Sequence, residues 1–416
     1  MKLVQKNHIR VDKKTYQILL TLCRLSKNLY NYTLYIIRQY YYQNGKFLPY
    51  EKCYHYIKSN KNFKLLPSQV AQQTAKVVDR TMKSFFRLLS ERKRGNYNRP
   101  IHLPRYLNKK GYFPCIFPKD MFKVIDNKIR LSLGKNFSQK YGIKHLWFKL
   151  PPNINKHAVK EVRIIPRGNG MWMEIEYVYE IEPKKVELDN NKYLAIDLGV
   201  NNFATVVTTN GTAVIIDGRN LKSFNRWWCK EKARIQSIYD KQGIKFGKKM
   251  AWLLKKKKNI TENFTHQASA WIIKHCIENK IGNIVIGEMK HIKQKINLGD
   301  KNNQNIQLMP WGIFKQKLKY KCERYGINFI EVNEENTSKT CCNCGYIDEK
   351  NRKHRGLFVC KNCNIVLNAD INGAINIMNK VTHEPVRVVG SGCVNHPVRI
   401  RVAYATKLLT KPYPLG

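Results

Sequence analysis

The sequence predicts a multidomain α/β protein, and three observations carry that expectation. Two short apolar runs of strand length, residues 193–196 and 284–287, each end on an acid: Asp197 in YLAIDLGVNN and Glu288 in NIVIGEMK. A third acid, Asp370 in LNADINGAINI, lies behind two CxxC pairs in a stretch with helical spacing. With 416 residues, 43% of them hydrophobic, the chain is long enough to build two or three separate cores.

The elements follow in order. Residues 2–10 read as a strand, and 14–43 and 67–94 as long helices. The second helix opens at Pro67, a good first helical position, and runs to the basic stop RKRGN. Residues 100–186 carry prolines, glycines and alternating segments such as KIRLSLG and MWMEIEYVYEIE, which predict antiparallel strands. A small β-barrel is expected there, completed by the N-terminal strand, so that 1–12 and 96–188 form one split domain and 13–95 a helical insertion. Strands at 193–197, 203–208 and 213–217 predict a meander. A basic segment, helix 262–279, the strand ending at Glu288, helix 310–325 and strand 327–332 come next. A meander followed by helix–strand units is the order of an RNase H-like (RuvC) nuclease domain, here split as 189–335 and 366–380. Residues 381–416, punctuated by proline and glycine, are expected to be a loosely held tail.

The insertion that splits the nuclease domain, 336–365, reads as a zinc ribbon. Cys341 and Cys344 form one CxxC pair, and Cys360 and Cys363 a second after fifteen residues. Each pair offers two thiolates to one tetrahedral ion, and the stretch between is long enough for a hairpin to return. Gly345 stands where a knuckle needs positive φ. Cys342 is the odd thiol; Cys341 gives the proper gap to Cys344. His354, inside the hairpin, reads as a surface residue. The other seven cysteines are scattered singly, which fits reduced, mostly buried thiols in a cytoplasmic protein rather than a disulfide framework.

Charge points to a polyanionic partner. The chain holds 76 Lys+Arg against 29 Asp+Glu, a formal net charge of +47, an excess that repels itself in a free globule. No run approaches the 18 apolar residues a membrane helix needs, so no membrane partner is expected. Three carboxylates at the ends of apolar elements can hold two Mg²⁺ ions about 4 Å apart, an arrangement that drives in-line phosphodiester hydrolysis. Asp197, Glu288 and Asp370 are therefore the expected catalytic and magnesium-binding acids.

The motifs AIDLGVNN, IVIGEMK, TSKTCCNCG, FVCKNC and NADINGAINI resemble those of the TnpB (OrfB) family of insertion-sequence proteins, relatives of type V CRISPR nucleases. The resemblance runs along essentially the whole chain. It implies an endonuclease that takes a guide RNA from its own transposon end and cleaves double-stranded DNA beside a short motif, as a monomer with one RNA. Asp197, Glu288 and Asp370 would be its RuvC-type acids, and Cys341, Cys344, Cys360 and Cys363 its zinc ligands. A miniature CRISPR-associated nuclease and a non-cleaving guided regulator share the same pattern. In the family the last acid usually follows Asp-Arg; here it follows Asn368-Ala369, which puts a local contact in question.

Candidate nucleic-acid contacts fall in three places. Gln69, Gln72, Gln73 and Lys76 share one helical face and suit major-groove reading, or form an ordinary polar face. Segment 222–258 has thirteen Lys+Arg against two acids; Arg226, Lys255, Lys256 and Lys257 are its candidates, and a solvated face would look the same. Trp227-Trp228 could cap a duplex end, or be buried. The tyrosines of the first helix (Tyr30, Tyr32, Tyr35, Tyr40, Tyr41, Tyr42) are expected mostly in the core.

Overall fold

The computed structural model describes residues 1–288, 297–354, 356–382 and 397–402. The chain forms two compact units, Met1–Ile181 and a second that begins at Glu182.

The first unit runs β1 (Lys2–His8), α1 (Lys13–Asn44), α2 (Tyr50–Ile57), α3 (Lys61–Leu65), α4 (Ser68–Lys93), β2 (Cys115–Pro118), β3 (Phe122–Ile125), β4 (Lys128–Ser132), α5 (Lys135–Tyr141), β5 (His145–Lys149), β6 (Val159–Arg167) and β7 (Trp172–Glu180). Asp12 caps α1, accepting the Thr15 amide at 2.9 Å, and Gly45 ends it at φ 63°. Pro67 is the flanking residue of α4 rather than its first helical one, because its ψ of 131° is extended. The strands expected to close a barrel lie in two antiparallel sheets, one of order β1-β7-β6-β2 and one of order β3-β4-β5. The tyrosines of α1 divide: Tyr30 is buried against Phe113, Tyr32 and Tyr40 pack on the core, and Tyr35 and Tyr42 are exposed.

The second unit runs β8 (Asp189–Leu198), β9 (Asn202–Thr208), β10 (Ala213–Asp217), α6 (Arg219–Lys241), α7 (Lys248–Glu278), β11 (Ile281–Glu288), α8 (Asp300–Leu308), α9 (Trp311–Tyr325) and β12 (Asn328–Asn333). A small hairpin sheet, β13 (Arg352–His354), β14 (Leu357–Val359) and β15 (Val366–Leu367), leads to α10 (Ala369–Asn379) and β16 (Val398–Ile400). The main sheet has the order β12-β11-β8-β9-β10-β16. Its meander β8–β9–β10 is antiparallel, while β11 runs parallel to β8 and β12 parallel to β11. Helix α7 begins well before the expected position 262; the run Lys255–Lys258 hides the apolar period, yet lysine is a good helix former. Part of the expected tail is ordered, since Val398–Ile400 pairs with β10 and Val402 is buried. The rest of 381–416 beyond Thr382 and outside 397–402 lies outside the described residues.

Alternation along the central strands sorts the core into two layers. Leu194, Ile196, Ile284 and Ile286 pack with Phe264, Ile272 and Phe314 of α7 and α9. Ala195 and Val285 face the other way and pack with Ile371, Ala374 and Ile375 of α10. No helix among the described residues is long and apolar enough to cross a membrane. Phe203 is fully buried, with ring centroids 4.7 Å from Phe264 and 5.1 Å from Phe314, both edge to face. Phe203→Ala should lower unfolding stability by about 3–5 kcal/mol in denaturant titration. A loss under about 1 kcal/mol would contradict this packing.

Candidate active site and zinc cluster

Asp197, next to last in β8, follows Ala195 by two positions on the face that meets α10. On the neighbouring strand the register pairs Ile286 with Ile196, so the next residue level with Asp197 is Gly287, not Glu288. Alternation gives Glu288 the parity of Ile284 and Ile286, on the layer of α7 and α9. The third strand supplies what Gly287 lacks. Ile330 and Val332 of β12 pack on the α10 layer, and Glu334 follows in the same phase. A Cβ placed on Gly287 would fall on the Glu334 carboxylate. Glycine at 287 therefore leaves the space that this side chain fills.

Asp370 arrives from the other side, in the first turn of α10. Asn368 caps the helix, its Oδ1 accepting the amides of Asp370 (3.0 Å) and Ile371 (3.4 Å). The residue that departs from the family pattern thus keeps a capping role. Asp370 Oδ2 accepts Asn202 Nδ2 at 2.6 Å, and its Oδ1 accepts Arg352 Nη2 at 2.9 Å. Gly373, one turn on, allows close approach: a Cβ there would sit 3.0 Å from Asp197 Oδ2.

Electrostatics tie the three acids together. Burial, then the charges of Glu334 and Asp370, push Asp197 well above the ordinary carboxylate range, and Arg352 only partly opposes them. Burial also raises Glu334, against the pull of Lys315 and Lys380. Glu334 Oε1 is buried and makes no hydrogen bond. A buried carboxylate oxygen without a donor, beside two more acids, is a donor set suited to a hard divalent cation. The ligand atoms are spread out: among the described residues only the four cysteines bring three or more such atoms within 4.8 Å of one another.

Those cysteines, Cys341, Cys344, Cys360 and Cys363, form the cluster the sequence predicts. Sγ atoms of Cys341 and Cys363 are 3.7 Å apart, and those of Cys344 and Cys360 3.5 Å. Four thiolates bound tetrahedrally at about 2.3 Å would stand about 3.8 Å apart, so the cluster fits zinc. Gly345 turns the first knuckle at φ 76°, and Asn364 takes the matching position in the second at φ 54°. Cys342 points away into the α10 layer, and its amide donates to Asn372 Oδ1 at 2.9 Å. His354 is exposed.

Two hydrogen-bonding side chains of α10 join this ribbon to the acids. Asn372 Nδ2 donates to the Thr340 carbonyl at 2.8 Å, and Asn376 Nδ2 to those of Thr337 and Thr340 at 2.8 and 2.7 Å. Glu334 and Asp370 thus stand at the two ends of the segment that carries the cysteines. Sequence reading did not single out Glu334 or Arg352, which the structure sets beside Asp197 and Asp370. The phase of β12 signals the first; a lone arginine in a hairpin signals little.

The expected nucleic-acid residues lie on α4, α6 and α7. Gln69, Gln72 and Gln73 are half-buried on α4, Gln69 reaching Asp120 at 3.5 Å, and Lys76 lies over the Tyr50 ring. Arg226 is exposed on α6; Lys255, Lys256 and Lys257 lie on α7, with Lys257 3.7 Å from the Trp228 ring centroid. Trp228 is buried, and Trp227 is not.

Fold and site together define a class: an α/β protein whose second unit joins an acid cluster to a four-cysteine ribbon. Residues 176–293 match the family described as "Probable transposase" (OrfB_IS605), and residues 311–377 the "Cas12f1-like, TNB domain" family. The resemblance to the TnpB (OrfB) family and its type V CRISPR relatives is thereby shown. The "TnpB-like protein ORF457" of Acidianus two-tailed virus is 28% identical over 396 residues, covering 86% of this chain and 82% of that protein. The "CRISPR-associated endodeoxyribonuclease Cas12f1" of Sulfoacidibacillus thermotolerans is 29% identical over 238 residues, 53% of this chain; the match spans 54% of that protein, about half its length. Among solved structures, the Cas12f1 chain of a "Cas12f1-sgRNA-target DNA complex" superposes with a TM-score of 0.61 at 16% identity, covering 88% of this chain and 83% of that one, a likeness of fold.

Two expectations follow. Elemental analysis should find one zinc per chain, lost in Cys360→Ser and kept in Cys342→Ser; zinc loss in the latter would contradict the assignment of ligands. Because Asp197 is raised, the folded state holds a proton that the unfolded chain releases. Its stabilising contribution is complete below the ordinary value of 3.8 and is lost as pH rises through the folded value. Asp197→Asn should therefore raise the melting temperature of the magnesium-free protein at neutral pH, by a margin that shrinks on acidification. A margin that grows on acidification would refute the sign.

Proposed function

We propose that this chain is an RNA-guided double-stranded DNA endonuclease encoded by a transposon, cutting beside a short adjacent motif through magnesium-dependent phosphodiester hydrolysis. The observation that carries the reading is the convergence of Asp197, Glu334 and Asp370 around the gaps left by Gly287 and Gly373. The strand order of the second unit, with its acids on β8, after β12 and on α10, supports an RNase H-like (RuvC) nuclease domain. The relatives named as endonucleases, and the guide RNA and target DNA of the superposable complex, supply the substrate class.

Glu334 takes the place that sequence spacing gave to Glu288. Asp197, Glu334 and Asp370 are the residues that would hold the ions. When bound, the pair of Mg²⁺ ions lowers the pKa of an attacking water and stabilises the leaving 3′ oxygen. The protein's own groups do the rest. Asn202 and Arg352 fix the Asp370 carboxylate in rotation, and the Asn368 cap fixes its backbone. Arg352 also sets a guanidinium beside the acids, where it can meet an incoming phosphate bidentately. Asp197 is half-buried against Gly373, and the partial loss of water around its carboxylate strengthens each charge interaction at the site. With one such acid cluster in the described residues, the two DNA strands would be presented in turn.

The test co-expresses the protein with its native downstream flank and challenges it with a plasmid library randomised beside a fixed target. Guide-matched, magnesium-dependent double-strand breaks with one enriched neighbouring motif are expected, and Asp197→Ala should abolish them. Glu334→Gln should slow cleavage at least roughly 100-fold, with Glu288→Gln within about ten-fold of wild type. Guide-matched binding without cutting would replace the nuclease by a regulator. Purified protein devoid of RNA would end the guided reading.

A further inference from the structure

We infer that Trp227 of α6 and Trp252 of α7, with Lys256 held between them, form a stacking platform for the unpaired bases of a single-stranded nucleic acid. The inference deepens the nuclease reading, and rests on it for the strand's origin.

The two helices pair through a small apolar core of Trp228, Ile235, Tyr239, Met250 and Leu253. Trp228 belongs to that core, capped by Lys257, and needs no ligand to explain it. Its neighbour Trp227 and the facing Trp252 are another matter: they are 39% and 55% exposed. Tryptophan is the side chain with most to gain from burial, so two indoles left open on one patch call for a partner. The Lys256 ammonium sits 4.5 Å from the Trp227 centroid and 5.0 Å from that of Trp252. This double cation–π contact holds the rings in place and puts a positive charge at the centre of the patch. Phe224 backs Trp227, with ring centroids 5.5 Å apart.

Charge selects the partner. The segment that builds the patch, 222–258, carries thirteen Lys+Arg against two acids, so the complementary surface is strongly anionic. Within anionic partners, exposed indoles favour one that offers flat π-faces beside its charges, which is the pattern of single-strand binding sites. A duplex covers its base faces except at its ends, so unpaired bases fit a side-on pair of indoles better.

The test uses the full-length, zinc-loaded protein without magnesium and labelled 20-nucleotide probes read by fluorescence anisotropy. One probe is oligothymidylate and the other a fully abasic strand of equal length and charge. Wild type should bind oligothymidylate about ten-fold more tightly than the abasic strand. The Trp227→Ala/Trp252→Ala double variant should lose that preference while keeping its abasic affinity, and Trp252→Phe should retain most of it. Equal binding of the two probes by wild type would overturn the inference, as would a preference that survives the double variant. Tight binding to phosphatidylserine vesicles, lost in the double variant and without base preference, would overturn it in favour of a lipid surface. An inactive nuclease that still prefers bases would defeat the cleavage reading and leave the platform standing; active cleavage without base preference would do the reverse.

Discussion

Crowding like charges at the ends of buried strands is the constraint on which the second unit depends. Like charges brought together in partly buried positions repel, and a domain's whole stability is only about 5–15 kcal/mol. Half-buried Asp197 feels Glu334 and Asp370, and one oxygen of Glu334 has no donor. Arg352 reaches Asp370, and Lys315 and Lys380 ease Glu334, but Asp197 stays raised despite them. The glycines at 287 and 373 remove the side chains that would hold these acids apart. On the proposed reading, divalent cations relieve this repulsion.

The ribbon is part of that arrangement. Glu334 precedes its first cysteine and Asp370 follows its last, so the fold of the cysteine segment fixes where two of the three acids stand. Asn372 and Asn376 bind the carbonyls of Thr337 and Thr340 from α10, and Arg352 reaches back from the hairpin to Asp370. Zinc would thus set acid geometry through backbone and side-chain bonds, without touching the reaction. Cys342, an unneeded fifth thiol by spacing, serves the same joint by packing under α10.

Much of this was legible in the sequence. Short continuous apolar runs marked the strands β8 and β11, and the paired CxxC spacing marked the cluster whose sulfurs lie within 4.8 Å. Asp197 and Asp370 were visible because each adjoins an apolar run whose periodicity is unambiguous. Glu334 was not, because the choice between it and Glu288 turns on strand phase and on an empty glycine side, both properties of register between neighbouring strands. Helices α2 and α3 went unread because Tyr50–Ile57 and Lys61–Leu65 are too short to show a period. The long α7 was hidden by its lysines, and with it the meeting of Trp227 and Trp252, residues far apart in sequence and joined only by the hairpin of α6 and α7.

The most direct test of the acid cluster is calorimetric titration of Mn²⁺, a stand-in for Mg²⁺, into the zinc-loaded protein. Two sites are expected in wild type and in Glu288→Gln, with at least one lost in Glu334→Gln and both weakened in Asp197→Asn. Loss of metal in Glu288→Gln with full binding by Glu334→Gln would contradict it.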